Sequence, residues 1–237
     1  MIVTDNPIIS SKIFKICTQY EKVNFEFGIS PFSKANNFEM EVFVVDMKKK
    51  RDIEILLNNY DLIISVHCKQ IFPVDLFNNV KCINIHPGYN PINRGWYPQV
   101  FAILNDEKIG ATIHEITKNL DDGPIIDREY VDKFEWDTSL TLYKRVVNKE
   151  LELFEKNISS IINNCYSTEL PESNGNLYLK KDFERLKEID LTERVTFKEA
   201  IDRLRALTHG EYKNLYYTTQ KDDKVFISVN LTNDDGK

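Results

Sequence analysis

The chain has 237 residues, 42% of them hydrophobic, and a net charge of −6. This length and composition predict a sizeable core, in one full domain followed by a smaller extension. The acidic balance argues against nonspecific nucleic-acid binding, which depends on neutralising phosphates. No apolar run is long enough to span a bilayer, and the N-terminus has no secretory signal pattern. We therefore expect a cytoplasmic protein with neither a membrane nor a nucleic-acid partner.

The four cysteines are scattered along the chain, without a CxxC pair or any other metal-ligand spacing. Cysteines inside apolar segments behave as small buried hydrophobic residues. We therefore expect free thiols and no metal site.

The first third of the chain alternates short apolar strands with amphipathic helices. The pattern predicts strands over 1–3, 42–45 and 61–66, and helices over 8–20 and 52–59. The strand 61–66 is continuously apolar, which is typical of strands buried on both faces of a parallel sheet. This alternation predicts an α/β fold with a Rossmann-like, doubly wound sheet.

Asn84 and His86 stand at the end of a further predicted strand, residues 80–85. Pro87 and Gly88 follow, and they do not continue a central strand. Because the two side chains are two residues apart, they face the same side of the sheet. In open α/β sheets, the crevice at the carboxyl ends of the strands is the usual ligand site. An amide and an imidazole there suit the stabilisation of an oxyanion, so the pair is predicted to be catalytic.

The rest of the chain divides at a turn-rich segment, residues 167–176. Before it we expect a helix over 98–104, strands over 110–116 and 124–131 that flank Asp121, and a long helix over 138–162. After it we expect a helix over 196–207, capped by Thr196, and a hairpin of strands 215–219 and 224–229. We predict a catalytic domain over 1–165 and a C-terminal extension over 166–237.

The run Asn-x-His-Pro-Gly-Tyr-Asn-Pro-x-Asn-Arg-Gly-Trp (84–96), with Leu-Asp-Asp-Gly-Pro (120–124), resembles the folate-dependent formyltransferases, in particular those that formylate sugars. The similarity is strong over 61–132 and weaker over 176–217. It implies the formyltransferase-type fold and a catalytic set of Asn84, His86 and Asp121. In related enzymes the carboxylate stands two residues before the glycine, which selects Asp121 over its rival Asp122. The roles of Asp122, His114 and Cys68 stay open.

The resemblance also implies the ligands. N10-formyltetrahydrofolate would donate the formyl group, and a nucleotide-linked aminodeoxy sugar, dTDP-4-amino-4,6-dideoxyglucose, would accept it for O-antigen synthesis. The residues expected to line the folate pocket are Cys68, Lys69, Gln70, Ile71, Phe72, Ile116 and Thr117. An aromatic cluster with one guanidinium suits a nucleotide diphosphate. The residues expected to bind the acceptor are accordingly Tyr89, Asn93, Arg94, Trp96 and Tyr97.

Other formyl acceptors and other classes of protein are alternatives to a sugar formyltransferase. A glycinamide ribonucleotide enzyme should carry a glycine-rich phosphate loop at its first helix, but residues 1–12 contain no glycine. A methionyl-tRNA enzyme should carry a basic appended domain, whereas residues 176–237 balance basic and acidic side chains. A formyltetrahydrofolate hydrolase would have an additional N-terminal domain. A UDP-linked aminosugar stays open, and a noncatalytic binding protein is the alternative from another class. Related sugar formyltransferases often dimerise through such a hairpin, so a homodimer is expected.

Overall fold

The computed structural model describes residues 1–234 and is built around a seven-stranded sheet. The strands are β1 (Ile2–Thr4), β2 (Phe27–Ile29), β3 (Phe43–Val44), β4 (Leu62–Val66), β5 (Lys81–His86), β6 (Arg94–Gly95), β7 (Ile109–Glu115), β8 (Ile125–Val131), β9 (Leu177–Tyr178), β10 (Leu215–Thr218) and β11 (Lys224–Ile227). The helices are α1 (Pro7–Cys17), α2 (Lys50–Asn59), α3 (Val74–Phe77), α4 (Pro98–Leu104), α5 (Ser139–Ile162), α6 (Lys180–Leu186) and α7 (Phe197–Leu207).

The strand order of the main sheet is β3-β2-β1-β4-β5-β7-β8. The five strands from β3 to β5 are parallel, β7 is antiparallel to β5, and β8 is antiparallel to β7. One apolar cluster joins the sheet to α1 and α5, and another joins the opposite face to α2 and α3. The predicted α/β class is confirmed, with an antiparallel pair added at one edge.

The long periodic segments were predicted correctly. The helix expected over 98–104 matches α4, and those expected over 138–162 and 196–207 match α5 and α7. Thr196 caps α7 as expected, because its Oγ1 accepts from the Glu199 N–H at 3.2 Å and its N–H donates to the Glu199 carboxylate at 2.7 Å. The missed elements include β2 with three residues and α3 with four, too few to show a period, and also the seven-residue α6.

The C-terminal extension shares a core with the preceding part of the chain. Leu215 of β10 and Leu207 of α7 are buried in one apolar cluster with Phe101 of α4 and Leu142 of α5. The extension therefore packs against α4 and α5 along a continuous apolar contact. The boundary at 165/166 stays a prediction.

Within residues 1–234, no helix has both the length and the apolarity required to cross a bilayer.

Candidate active site

Strand pairing brings the polar residues of the motif together at one end of the sheet. In the antiparallel pair β5 and β7, Asn84 lies opposite His114 and His86 lies opposite Thr112. The His86 and His114 side chains are 4% and 2% exposed, and that of Asp121, from the loop after β7, is 8% exposed. These buried groups form a polar cluster at the carboxyl end of β5.

Asp121 is the centre of this cluster. Its Oδ1 accepts from Asn84 Nδ2 at 3.1 Å and lies 3.5 Å from His114 Nε2. Its Oδ2 accepts from the Gly95 N–H at 3.0 Å and lies 3.6 Å from His86 Nδ1. The structure therefore brings together the three predicted catalytic residues, Asn84, His86 and Asp121, and adds a second histidine.

The charge state of Asp121 follows from these neighbours. Burial by itself raises the pKa of this carboxyl, but the proximity of His86, the hydrogen bond and charge of His114, and the Gly95 N–H hold the pKa well below its usual range. Asp121 is consequently ionised at neutral pH. A buried carboxylate of this kind favours a positive charge on the imidazole beside it.

The orientation of His86 is fixed from its far side. Nε2 lies 2.7 Å from the backbone carbonyl of Asn93, so this nitrogen carries the proton and donates it to the oxygen. Nδ1 is then the atom that faces Asp121. Gly88 permits this close approach, because a Cβ atom there would lie only 2.5 Å from both the Asn93 oxygen and His86 Nε2.

The loop that carries Asp121 turns the two adjacent aspartates in different directions. Asp121 has a φ of +50°, in the left-handed region that few non-glycine residues adopt. Asp122 instead accepts from Thr117 Oγ1 and from Asn119 Nδ2 at 2.7 Å. Because both Asp122 oxygens accept bonds from its own loop, the geometry favours Asp121 over Asp122 for the acid role.

The residues expected to line the folate pocket differ in their surroundings. Phe72 is 5% exposed and belongs to the core, whereas Ile71 is 81% exposed. Gln70 accepts from the Met47 N–H at 2.9 Å and donates to the Val45 carbonyl at 2.8 Å, which anchors the segment. Cys68 and Ile116 both pack on the cluster that contains Phe72. The two predicted segments, 68–72 and 116–117, thus meet on one face of the sheet.

The thiol of Cys68 is not activated. Burial raises its pKa to about 12, so the thiol is protonated at neutral pH. Cys68 serves as part of the apolar surface beside the cluster.

The five residues expected to bind the acceptor have mostly internal contacts. Asn93 is fully buried and accepts from the Tyr89 N–H at 3.1 Å. Tyr97 stacks on Phe183, with 4.1 Å between ring centroids. Arg94 is 8% exposed, and its guanidinium donates to the Leu120 and Asn174 carbonyls. These contacts give Arg94 a role inside the protein in place of the predicted diphosphate contact.

Tyr89 and Trp96 are the more accessible members of that set. Tyr89 lines a cavity of about 400 Å³ with Arg128 and Glu169 and stacks on Tyr130 at 3.6 Å. Trp96 is 38% exposed.

A second cavity, of about 350 Å³, opens beside the carboxyl ends of β1 and β2. Its lining includes the lysines Lys34 and Lys69 and the aromatic ring of Phe32, which is 67% exposed. Asp5 also lines it, but its carboxylate accepts four hydrogen bonds from the protein: from Ser30 N at 3.0 Å, from Ser30 Oγ and Ser33 Oγ at 2.7 Å each, and from Lys69 N at 2.7 Å. The ammonium groups of the two lysines are therefore the charges offered to a ligand.

Two participants in the cluster were missed by sequence reasoning. The role of His114 was left open, and the Gly95 N–H was not predicted to take part. Both depend on pairing between distant segments, because His114 meets Asn84 only through the β5–β7 register. In residues 1–234, no group of three or more His, Cys, Asp and Glu side chains is arranged to hold a metal ion.

A Rossmann-like sheet with Asn, His and Asp side chains gathered at the carboxyl end of a central strand has the construction of a group-transfer enzyme. A family model described as Formyl transferase matches residues 32–158. Another, described as N-formyltransferase dimerization C-terminal domain, matches residues 182–233. The chain belongs to the formyl transferase family and is an N-formyltransferase of its sugar-modifying branch.

Relatives of known structure or name are similar along most of the chain. A dTDP-4-amino-4,6-dideoxyglucose formyltransferase of Mycobacterium tuberculosis is 46% identical over 176 residues, which are 74% of this chain and 75% of that protein. A sugar N-formyltransferase from a Shewanella species superposes with a TM-score of 0.94 at 38% identity. A 4-N formyltransferase from Francisella tularensis superposes with a TM-score of 0.93 at 42% identity. Each structural match covers 98% of this chain and 97% of the other.

Proposed function

We propose that this enzyme transfers the formyl group of N10-formyltetrahydrofolate to the 4-amino group of dTDP-4-amino-4,6-dideoxyglucose. The observation that carries the choice of acceptor is the 46% identity to an enzyme named for that substrate. The Francisella protein, described as a 4-N formyltransferase, supports the position of the amine. The product would serve the synthesis of surface polysaccharide such as O-antigen, and the reaction would take place in the cytoplasm.

Asn84 and His86 would stabilise the negative charge that develops on the formyl oxygen when the amine attacks. Asn84 Nδ2 directs one N–H to Asp121 and the other toward His114 Nε2 at 3.3 Å, and this second N–H would be shared with the oxyanion. His86 Nε2 is engaged by the Asn93 carbonyl. Nδ1 is therefore the atom that would hold a proton for the reaction, and the ionised Asp121 would favour it.

The proton balance of the reaction needs such a group. The amine loses one proton as its nitrogen bonds to the formyl carbon, and N10 gains one as the N10–formyl bond breaks. His86 Nδ1, with Asp121 3.6 Å away, would move that proton between the two nitrogens. Because His114 Nδ1 donates to the Glu115 carbonyl at 2.8 Å, its Nε2 is free to accept from Asn84 Nδ2 at 3.3 Å and would help to hold the Asn84 amide in place.

The surface beside Asn84 suits the pterin of the donor. The exposed Ile71 and the half-buried Cys68 and Ile116 offer apolar contacts. Backbone groups of segment 68–72 are at the same edge of the sheet and would bind the polar rim of the ring. Bound there, N10-formyltetrahydrofolate supplies the activated formyl group.

The cavity beside β1 and β2 would hold the nucleotide diphosphate of the acceptor. Lys34 and Lys69 suit the phosphates, and Phe32 offers an aromatic face to the base. β1 is separated from β5 by β4 alone, so this cavity lies roughly 10 Å from the polar cluster. In the proposed substrate the diphosphate and the 4-amine are at opposite sides of the hexose ring, which suits a site divided in this way.

We also propose that the enzyme is a homodimer. The extension, residues 166–237 in our division, exposes apolar side chains that its own fold leaves uncovered, namely Leu191, Val195, Phe197, Tyr212, Val225 and Phe226. A twofold pairing of this surface would cover them. The match of residues 182–233 to a dimerization domain supports this assembly.

The test is a turnover assay with the purified full chain and N10-formyltetrahydrofolate. We expect dTDP-4-amino-4,6-dideoxyglucose to gain the mass of one CO unit while tetrahydrofolate is released. UDP- and GDP-linked 4-aminosugars, a dTDP-linked 3-aminosugar and methionyl-tRNA serve as competing acceptors, and His86→Ala as the inactive control. A higher kcat/KM for any competing acceptor would replace the proposed substrate. Failure of all of them would refute the proposed function.

A further inference from the structure

The segment that leads into the C-terminal extension is hydrogen-bonded to the catalytic motif. β9 pairs in parallel with β6, so that Arg94 lies beside Leu177 and Gly95 beside Tyr178. The Arg94 N–H donates to the Asn176 carbonyl at 3.1 Å. Gly95, in the middle of this pairing, donates its own N–H to Asp121 Oδ2. A residue that holds the catalytic carboxylate is thus also paired with the start of the extension.

The Arg94 guanidinium makes a second connection between the same parts. Nε and Nη2 donate to the Leu120 carbonyl at 2.9 and 2.7 Å, and Nη1 donates to the Asn174 carbonyl at 2.7 Å. Leu120 immediately precedes Asp121. One buried side chain therefore binds both the loop of the catalytic carboxylate and the segment before β9.

The loop needs such support because Asp121 has a left-handed backbone. For a residue other than glycine this conformation is strained, and it persists only where the surroundings fix it. Arg94 holds the carbonyl before Asp121, and Asn90 Nδ2 donates to the carbonyl of Asp121 itself at 3.0 Å. The two carbonyls on either side of the strained residue are thereby fixed by the motif.

We propose that Arg94 is a positioning residue through which segment 174–178 completes the active site. This inference rests on the catalytic role given to Asp121 in the proposed function. The planar fork of arginine binds two carbonyls from separate segments at once, whereas the point charge of lysine does not reproduce that geometry. The extension then contributes to catalysis by setting the position of the Asp121 carboxylate, although none of the side chains described between residues 166 and 234 joins the polar cluster.

Gly175 offers a way to disturb the linker without changing the motif. It has a φ of +54°, and a Cβ atom there would lie 1.8 Å from the Pro91 carbonyl oxygen. Gly175→Ala must therefore push the segment away from residues 91–94. Arg203 provides a matched control, since its guanidinium donates to the Leu186 and Glu188 carbonyls inside the extension.

The experiment compares Arg94→Lys, Gly175→Ala and Arg203→Lys in the full chain. For the first two we expect kcat to fall by about 10- to 100-fold, because a shift of about 1 Å in a catalytic group has effects of that size. The acceptor KM should stay near the wild-type value, and the pH dependence of kcat should change as Asp121 moves relative to His86. Arg203→Lys should leave kcat, KM and the pH profile unchanged.

A readout without turnover separates this inference from the proposed function. The side-chain amide resonance of Asn84 reports the position of Asp121, since Asn84 Nδ2 donates to it. We expect this resonance to shift in Arg94→Lys and Gly175→Ala, and to stay in place in Arg203→Lys. Absence of turnover in the wild type would refute the proposed function. The Asn84 resonance would then test the positioning role of Arg94 by itself.

Three outcomes would overturn the positioning role. The first is an unchanged Asn84 resonance with an unchanged pH profile. The second is a raised acceptor KM at constant kcat in Arg94→Lys, which would return Arg94 to the substrate. The third is loss of the fold in both variants, measured by circular dichroism, which would make the contacts purely structural.

Discussion

The polar cluster at β5 and β7 and the cavity beside β1 and β2 differ in how firmly their side chains are held. At β5 and β7, His86, His114 and Asp121 are almost fully buried. Asn84, His86 and Asp121 are fixed by bonds of 2.7 to 3.1 Å to one another or to the backbone. At β1 and β2 the cavity is open, with an exposed Phe32 and two lysines on its rim.

This difference distinguishes the side chains that we propose for the chemical step from those that we propose for binding the acceptor. Donors that are already oriented toward a developing charge need no reorganisation during the reaction, which is the main source of electrostatic catalysis. Long side chains on an open rim adapt to a ligand, and they bind it equally in the ground and transition states. Substitutions at β5 and β7 should therefore change kcat, and substitutions at β1 and β2 should change the acceptor KM.

The largest effect is expected from His86→Ala and Asn84→Ala. Each removes a donor to the oxyanion, so kcat should fall by about 10²- to 10³-fold, while folate affinity measured by fluorescence quenching should change little. A variant that keeps a tenth or more of the wild-type kcat would lose its assigned role. Ser65, on the neighbouring strand, provides a control position as Ser65→Ala.

Asp121→Asn should reduce kcat by about 10²-fold and alter its pH dependence. The amide keeps the shape but removes the negative charge 3.6 Å from His86 Nδ1, so the pH dependence of kcat should differ from that of the wild type. An unchanged profile would assign Asp121 a purely structural role.

The same variant makes a prediction about stability. The pKa of Asp121 is depressed in the folded protein, so its ionised form stabilises the fold above the unfolded pKa of about 4, and this contribution is lost as the pH falls. The difference in the free energy of unfolding between wild type and Asp121→Asn should therefore shrink below about pH 4. Urea titrations of the wild type and the variant, carried out above and below that pH, measure this difference in the free energy of unfolding.

The parts of the fold that sequence reasoning found are those with a long period or a strong stop signal. α5 has 24 residues and α7 begins at a capping box, and both were predicted closely. The pairing of β6 with β9 was not predicted, because each has two residues and no pattern at that length. Four of the five parallel strands, β1, β3, β4 and β5, were predicted from their apolarity and β2 was missed, whereas the antiparallel direction of β7 depends on packing that no local pattern encodes.

The candidate site shows the same limit. Asn84 and His86 were singled out by a strand end followed by proline and glycine, and Asp121 by the resemblance to the formyltransferase motif. The structure places the three side chains together, and their catalytic roles stay a prediction. Arg94 was predicted to bind the substrate, because its guanidinium fork suits phosphate oxygens as well as it suits carbonyl oxygens. Its actual partners, the Leu120 and Asn174 carbonyls, are 26 and 80 residues away along the chain, so the chemistry of the side chain does not indicate which acceptor it meets.

A smaller effect is expected from Lys69→Ala at the open end of the cleft. Loss of one hydrogen bond to a charged phosphate costs about 1.5 kcal/mol or more, so the acceptor KM should rise about tenfold at nearly constant kcat. The backbone N–H that donates to Asp5 is retained. Lys48→Ala, at an exposed position just before α2, is the matched control. A fall in kcat at constant KM would place Lys69 in the chemical step and break the proposed division.

The smallest effect on catalysis is expected from Phe226→Ser in the hairpin. Phe226 is 43% exposed, so the substitution removes apolar surface from the proposed dimer interface without opening the core. Light scattering should show dissociation to monomers at micromolar concentration, while kcat stays at the wild-type value because Asn84, His86 and Asp121 all belong to one chain. Phe43→Ser, on edge strand β3 with 44% exposure, is the matched control and should remain dimeric.

A monomeric wild type would refute the dimer. A dissociated variant with a reduced kcat would show that the partner subunit, in addition to segment 174–178, acts on the site.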